Sequence, residues 1–244
     1  LGDDVAELEP TARERAIAAA HDYNAALIGG ALVGANERIP TSEGTASIAG
    51  YDELLRADSR GLMARLRIPG IGVDLPVYHG TSDEVLETGL GHLEGTALPV
   101  GGVGTRSVIT GHRGLASSEL FTHLDQVEAG DVFTIEVFGE VLSYRVVETE
   151  VVAPDDTRAV YPDANRDLVT LVTCTPLGIN SHRILVTGQR VLPTPERDLA
   201  RAGDPPTIPG FPWWIVILSL VVLAASTYVA LAGRTSRRHP SSTT

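Results

Sequence analysis

Between Gly61 and Leu192 short apolar runs alternate with turn residues, and their lengths predict strands at Leu62–Ile68, Val73–His79 and Ser107–Thr110. Phe133, Ile135 and Val137 alternate with Thr134 and Glu136, the two-residue period of a half-buried strand. Gly139-Glu140 is expected to form a two-residue turn with glycine first, leading into a strand over Val141–Val151. Leu168–Cys174 and His182–Leu192 complete a set of about seven strands. Short helices fit Ser82–Thr88 and Ser118–Leu124. Many short strands with few helices predict a mostly β fold, a barrel or a sandwich, and periodicity does not choose between them.

Outside this region the periodicity changes. Residues 10–28 open on Pro10-Thr11 and continue through alanine-rich turns, which predicts a helix. Residues 29–50, rich in Gly, Ala, Ser and Thr, have no period and are expected to form a long loop. Tyr51–Ala57 is expected to be a short helix leading into the main domain. Residues 193–212 are proline-rich and are expected to be a stiff spacer. The run from Trp213 to Gly233 carries no charge and would measure roughly 31 Å as a helix, the thickness of a bilayer's hydrocarbon core. The expected organisation is therefore an N-terminal helix and lid-like loop (1–60) and a β domain (61–192). The spacer (193–212), a transmembrane helix (213–233) and a tail (234–244) follow.

Charge orients that plan. The net charge is −12, and all 31 acidic residues precede Trp213. Arg234, Arg237 and Arg238 follow the apolar run, so the positive-inside rule predicts a cytoplasmic tail and an extracellular body anchored by a single pass. Trp213 and Trp214 fit an interfacial aromatic belt at the other end. The chain starts at Leu1, and an export signal is expected to precede it. An acidic body excludes nucleic-acid binding, which needs a basic face. All 19 basic residues are arginine, so amine chemistry would require a partner's lysine. Metal-ligand spacings, phosphate loops and dinucleotide fingerprints are absent, and no cofactor is expected.

The candidate chemistry centres on Cys174, the single cysteine, at the end of Leu168–Cys174. A thiol at a strand terminus can reach a groove at a barrel rim, whereas a mid-strand thiol would be packed as a small hydrophobe. His112 follows Thr110-Gly111 at the end of another apolar run, where the glycine would let the backbone turn and free the imidazole. Near-neutral titration suits His112 to protonate a leaving amine. Arg183 opens the strand after the loop Thr175–Ser181, so it and Cys174 are expected at the same end of the sheet, with the guanidinium available to an oxyanion. Its neighbour His182 would face the opposite side. A thiol, an imidazole and a guanidinium are the parts of a covalent acyl-transfer site.

These stretches resemble the class C, pilus-assembling sortases of Gram-positive bacteria, actinobacterial ones in particular. The resemblance rests on Thr170–Arg190 around the cysteine and on Thr110-Gly-His-Arg-Gly-Leu115. Tyr78-His-Gly80, Gly91–Thr96 with Leu98–Gly102, and Leu120–Asp125 extend it over residues 51–192. It implies the sortase closed β-barrel and a transpeptidase acting on LPXTG-type sorting signals. By that resemblance Cys174 attacks the Thr–Gly bond, Arg183 steadies the tetrahedral intermediate and His112 protonates the departing amine. Thr173 and Asn180 are expected to bind substrate. A lysine of another pilin subunit would accept the acyl group. Two other readings stand beside this one: attachment of surface proteins to peptidoglycan, and a catalytically silent scaffold that binds sorting signals. Class C enzymes commonly carry a lid with an Asp-Pro-aromatic motif. Residues 29–50 lack it, and the chain's Asp204-Pro205 lies in the spacer.

Overall fold

The structure, a computed structural model, describes residues 10–28, 50–114, 120–204 and 213–235. The chain divides into two compact units, Leu1–Pro206 and Thr207–Thr244. The first contains α1 (Pro10–Ile28), β1 (Leu62–Ile68), β2 (Val73–His79), α2 (Asp83–Thr88) and β3 (Leu90–His92). It continues with β4 (Arg106–Thr110), β5 (Val132–Val137), β6 (Glu140–Val152), β7 (Leu168–Thr175), β8 (His182–Arg190) and α3 (Glu196–Leu199). The second contains α4 (Trp213–Thr235).

The eight strands close into a barrel in the order β1-β2-β3-β4-β7-β8-β6-β5. This resolves the choice between barrel and sandwich. Adjacent pairs are antiparallel except β2–β3 and β4–β7, which are parallel. The inward residues of each strand alternate with outward ones and fill the interior: Met63, Leu66, Val77, Ile109, Phe133, Ile135, Leu171 and Val186 are essentially inaccessible to solvent. Phe133 stacks on Tyr144 with ring centroids 5.5 Å apart. Gly188 leaves room for that stack, because a Cβ there would collide with the Phe133 ring.

α1 covers the barrel with one stripe. Ala16, Ile17, Ala20, Tyr23 and Leu27 recur at helical spacing and pack or bury on that side. Asn24, on the same stripe and 2% exposed, exchanges two hydrogen bonds with Leu98. Its Nδ2 donates to the Leu98 carbonyl (3.0 Å) and its Oδ1 accepts from the Leu98 N–H (2.7 Å). α2 is capped by Ser82, whose hydroxyl accepts from the Val85 N–H.

Several expectations need correction. β3 was not predicted, since three residues are too short to show a period. The β5–β6 turn is one residue earlier than expected: Val137 pairs with Glu140, and the central residues are Phe138 (φ 45°) and Gly139 (φ 89°). Both being left-handed makes it a double-positive hairpin turn, not one with glycine first. Tyr51–Ala57 is helical only as one 3-10 turn at Tyr51–Glu53. For Ser118–Leu124, residues 118–119 lie outside the described residues, 120–123 form turns, and a 3-10 turn covers Leu124–Gln126. The strand expected to reach Leu192 ends at Arg190.

The proline-rich stretch does not leave the barrel at once. Thr194 donates to the Val141 carbonyl (3.1 Å) and Ser143 to the Asp198 carboxylate (2.8 Å). Arg67 donates to the carbonyls of Arg201 (2.5 Å) and Asp204 (2.9 Å), and Arg65 also donates to the Asp204 carbonyl. Arg65 is itself forked on Asp74 at 2.5 and 2.6 Å. Residues 193–204 therefore lie as a strap across β1, β5 and β6.

The apolar C-terminal run forms α4, which is 23 residues long. Its side chains are described only over 217–228, all exposed, and no described stretch of helix is by itself long and apolar enough to cross a membrane. The lid-like loop at 29–49 and the tail at 236–244 lie outside the described residues.

Candidate active site

β7 and β8 form an antiparallel hairpin in which Cys174 and Arg183 are direct cross-strand partners. Side chains of such a pair start about 4.5–5.5 Å apart at Cβ and share a face. That face is the outside of the barrel. Leu171, Ile184 and Val186 belong to the main core. Val172 and Leu185, one residue along on each strand, belong to a separate apolar cluster with Leu93 and Val108, against which Val152, Ala159 and Val160 pack. Cys174 is two residues beyond Val172 and Arg183 two before Leu185, so both continue the outer face. The sequence expectation was a groove at the rim. The structure puts the thiol on the outer wall close to that end.

His112 comes from the neighbouring strand on the other side. β4 runs parallel to β7 with Thr110 opposite Val172. The Gly111 N–H donates to the Val172 carbonyl (3.1 Å) and the Gly111 carbonyl accepts from the Thr173 hydroxyl (2.7 Å). Continued by two residues, this register brings His112 level with Cys174. Gly111 serves by size, not by an unusual φ. A Cβ there would lie 2.6 Å from Leu90 Cδ2 and 2.9 Å from Phe121 Cδ2.

Arg183 is only 3% exposed, although Cys174 and His112 are partly open. Its Nη1 donates to the carbonyls of Asn180 (2.9 Å) and His182 (3.0 Å), which orients the guanidinium from within its own loop. Its Nε is buried without a hydrogen-bond partner. A buried N–H left unpaired is costly, and a substrate carbonyl or oxyanion at this face would satisfy it.

The remaining histidines of the barrel are otherwise engaged. His92 is fully buried between the Tyr51 hydroxyl (2.9 Å) and the Ala97 carbonyl (2.9 Å). His79 contacts the Gly61 and Leu54 carbonyls at 2.8 and 2.7 Å. His182 is exposed beside Ser181, and His123 is exposed beside Gln126.

The two expected substrate positions differ from each other. Thr173 is 1% exposed and its hydroxyl is committed to the Gly111 carbonyl, so it joins the cysteine strand to the histidine turn. Asn180 is exposed in the β7–β8 loop with a left-handed φ of 58°, and its carbonyl holds Arg183. That loop reaches the histidine turn: Leu177 packs against Gly114, where a Cβ would clash with it. Sequence reasoning missed Arg113. Its guanidinium joins Thr175, Thr122 and Asp125, and adjacency to His112 was the only signal in the sequence. Among the described residues, no group of three His, Cys, Asp or Glu side chains could hold a metal ion.

Comparison with known proteins bears on the fold and the family. The Sortase domain family model matches residues 66–191. Sortase D of Bacillus subtilis is 30% identical over 129 residues, 52% of this chain and 62% of that protein, so the chain spans less than two thirds of that relative's length. The structure of sortase A from Corynebacterium diphtheriae superposes with a TM-score of 0.71 at 42% identity, covering 77% of this chain and 87% of the other. The pilus-related sortase C of Group B Streptococcus superposes with a TM-score of 0.69 at 36% identity, covering 78% and 94%. The family model covers more than half of the chain and the closed eight-stranded barrel superposes on sortase structures, so the chain belongs to the sortase family.

Proposed function

We propose that this chain is a membrane-anchored pilus-type sortase. It cleaves an LPXTG-type signal between Thr and Gly and joins the acyl group to a lysine amine of a pilin subunit. The observation that carries the reading is the Cys174–Arg183 strand pair with His112 level on the other flank. The likeness to a pilus-related sortase C supports the pilin acceptor.

In this mechanism the Cys174 thiolate attacks the threonine carbonyl carbon, and the carbonyl oxygen gains the negative charge. Arg183, anchored by Asn180 and His182 and with a free Nε–H, donates to that oxygen. The tetrahedral intermediate collapses, the C–N bond to glycine breaks, and His112 gives its proton to the departing amine. A lysine amine then attacks the thioester and loses a proton to His112, and the thiolate leaves. The chain has no lysine, so the acceptor must come from another molecule.

Anchoring rests on α4. Its 23 residues would measure about 35 Å, with Trp213 and Trp214 at one end and Arg234, Arg237 and Arg238 at the other. On the positive-inside rule, such an anchor would leave the body outside the membrane and the tail in the cytoplasm.

The test is mass spectrometry of the protein after incubation with an LPXTG peptide and a lysine-bearing pilin domain. A thioester on Cys174 followed by an isopeptide product is expected. Peptide cleavage at the wild-type rate by Cys174→Ala would overturn the reading, and transfer only to a cell-wall amine would replace pilin by peptidoglycan as acceptor.

A further inference from the structure

The residues on either side of His112 are bonded to the residues on either side of Cys174. The Gly111 carbonyl accepts from the Thr173 hydroxyl at 2.7 Å. The Arg113 guanidinium donates through Nη1 to the Thr175 hydroxyl at 3.0 Å. Position 112 stands opposite 174 between these two rungs. We propose that Arg113 is a positioning residue: with Asp125 and Thr175 it holds the His112 turn against β7 and so sets the imidazole–thiol spacing. This rests on the transpeptidase reading above and adds to it a residue outside the cysteine, histidine and arginine trio.

Three features carry the inference. First, the Arg113 side chain is only 11% exposed, and each of its three nitrogens has its own partner, one at the end of β7 and two on the segment 122–125. Nη1 reaches Thr175 at the end of β7, Nε donates to the Thr122 carbonyl (3.1 Å), and Nη2 meets the Asp125 carboxylate at 2.6 Å. A planar fork can satisfy three such directions together, whereas an ammonium cannot. Second, the other hydrogen bonds described for the turn lead elsewhere. Beyond β4 the Phe121 N–H donates to the His112 carbonyl (3.1 Å) and the Gly114 N–H to the Thr122 hydroxyl (3.1 Å). Both tie the turn to residues 121–122; among the hydrogen bonds of the described residues, those of Gly111 and Arg113 tie it to β7. Third, Asp125 is 45% exposed, so the ion pair by itself contributes little stability. What the cluster supplies is direction, which matters to a proton transfer more than to folding.

Among the described residues, the ionisable groups gathered at this end of β4, β7 and β8 and on the segment 120–126 are His112, Cys174, Arg183, His182, Arg113, His123 and Asp125. Loosening Arg113 changes how often His112 is within proton-transfer reach of Cys174, while the outer-face cluster of Leu93, Val108, Val172 and Leu185, with Val152, Ala159 and Val160 packed against it, takes no part in the Arg113 hydrogen bonds and ion pair. The expected signature is therefore in kcat and in pH dependence, not in KM.

The experiment compares wild type with Arg113→Met, Arg113→Lys, Asp125→Asn and Thr175→Val. Two readouts are used: steady-state acylation by an LPXTG peptide, and the pH profile of Cys174 alkylation by iodoacetamide. Alkylation needs no sorting signal, so it tests the spacing even if the peptide proves not to be a substrate. For Arg113→Met the expected result is a loss of about 10- to 100-fold in kcat, with KM within about two-fold. Its alkylation profile should shift toward that of a His112→Ala protein, and Arg113→Lys should recover part of both effects. If Arg113→Met does not fold, Thr175→Val and Asp125→Asn carry the test, with smaller losses in kcat and profile changes in the same direction. A folded Arg113→Met protein with wild-type kcat and an unchanged alkylation profile would overturn the proposal. So would a loss confined to KM, or wild-type behaviour of both milder variants.

Discussion

His92 and His112 are the same side chain in opposite circumstances. His92 has no access to solvent, and its two nitrogens are matched to one donor and one acceptor: Nδ1 accepts from the Tyr51 hydroxyl and Nε2 donates to the Ala97 carbonyl. Burial, reinforced by neighbouring His79, pushes its pKa down from 6.5 to about 4, against the pull of the Ala97 carbonyl. The folded state therefore holds the proton less well than the unfolded chain. Stability from neutral His92 is complete above about pH 6.5, declines as pH falls toward 4, and loses nothing more below that. The slope from this group should approach about 1.4 kcal/mol per pH unit, read from urea unfolding midpoints across that window. A His92→Gln protein should lose that part of the pH dependence. Arg183 is the other residue whose surroundings define it. Replacing it by lysine keeps the charge and removes the fork that its loop carbonyls orient, so kcat for peptide acylation should fall about 10²- to 10³-fold in a stopped assay. The nearness of Cys174 and Arg183 was legible because one closes an apolar run and the other opens the next across a short loop. The inward commitment of Thr173 was not legible, since it depends on a parallel neighbour, β4, that only the fold supplies.

Elements that alternate apolar and polar residues over five or more positions were visible in the chain. β1 and β2 were expected at the bounds found. β3 has too few residues to alternate, and its parallel pairing to β2 is a tertiary event. The β5–β6 turn slipped because Phe138 takes a positive φ, a conformation an aromatic residue rarely adopts and turn chemistry does not anticipate. α1 makes the clearest prediction about an element. Its stripe of alanines and aliphatics binds the barrel weakly in specificity, and the Asn24 amide supplies the register by matching both polar groups of Leu98. Asn24→Ala would leave a buried N–H and carbonyl unpaired, which costs about 1–3 kcal/mol for each group that stays dry. Amide hydrogen exchange should accelerate at Leu98 and along α1, while β7 and β8 keep their protection.

The barrel leaves no strand of its closed order without two neighbours, so the hairpin that bears Cys174 and Arg183 is braced on one flank by β4 and on the other by β6. That closure was the part of the architecture periodicity could not settle, because it is decided by which distant strands meet. The strap at 193–204 has a mechanical consequence. β8 ends at Arg190, only a few residues before the chain runs on, so a pull from the C-terminal side would otherwise bear directly on the strand that holds Arg183. Arg65, Arg67, Glu136 and Ser143 intercept it by gripping Asp204, Arg201, Gly203 and Asp198. In a single-molecule stretch from the C-terminal end, an early rupture releasing roughly 40 Å of slack is expected before the barrel yields. Changing Arg65 and Arg67 together to alanine should abolish that early step. The strap works as a strain relief, letting a protein under tension keep its reacting groups in register.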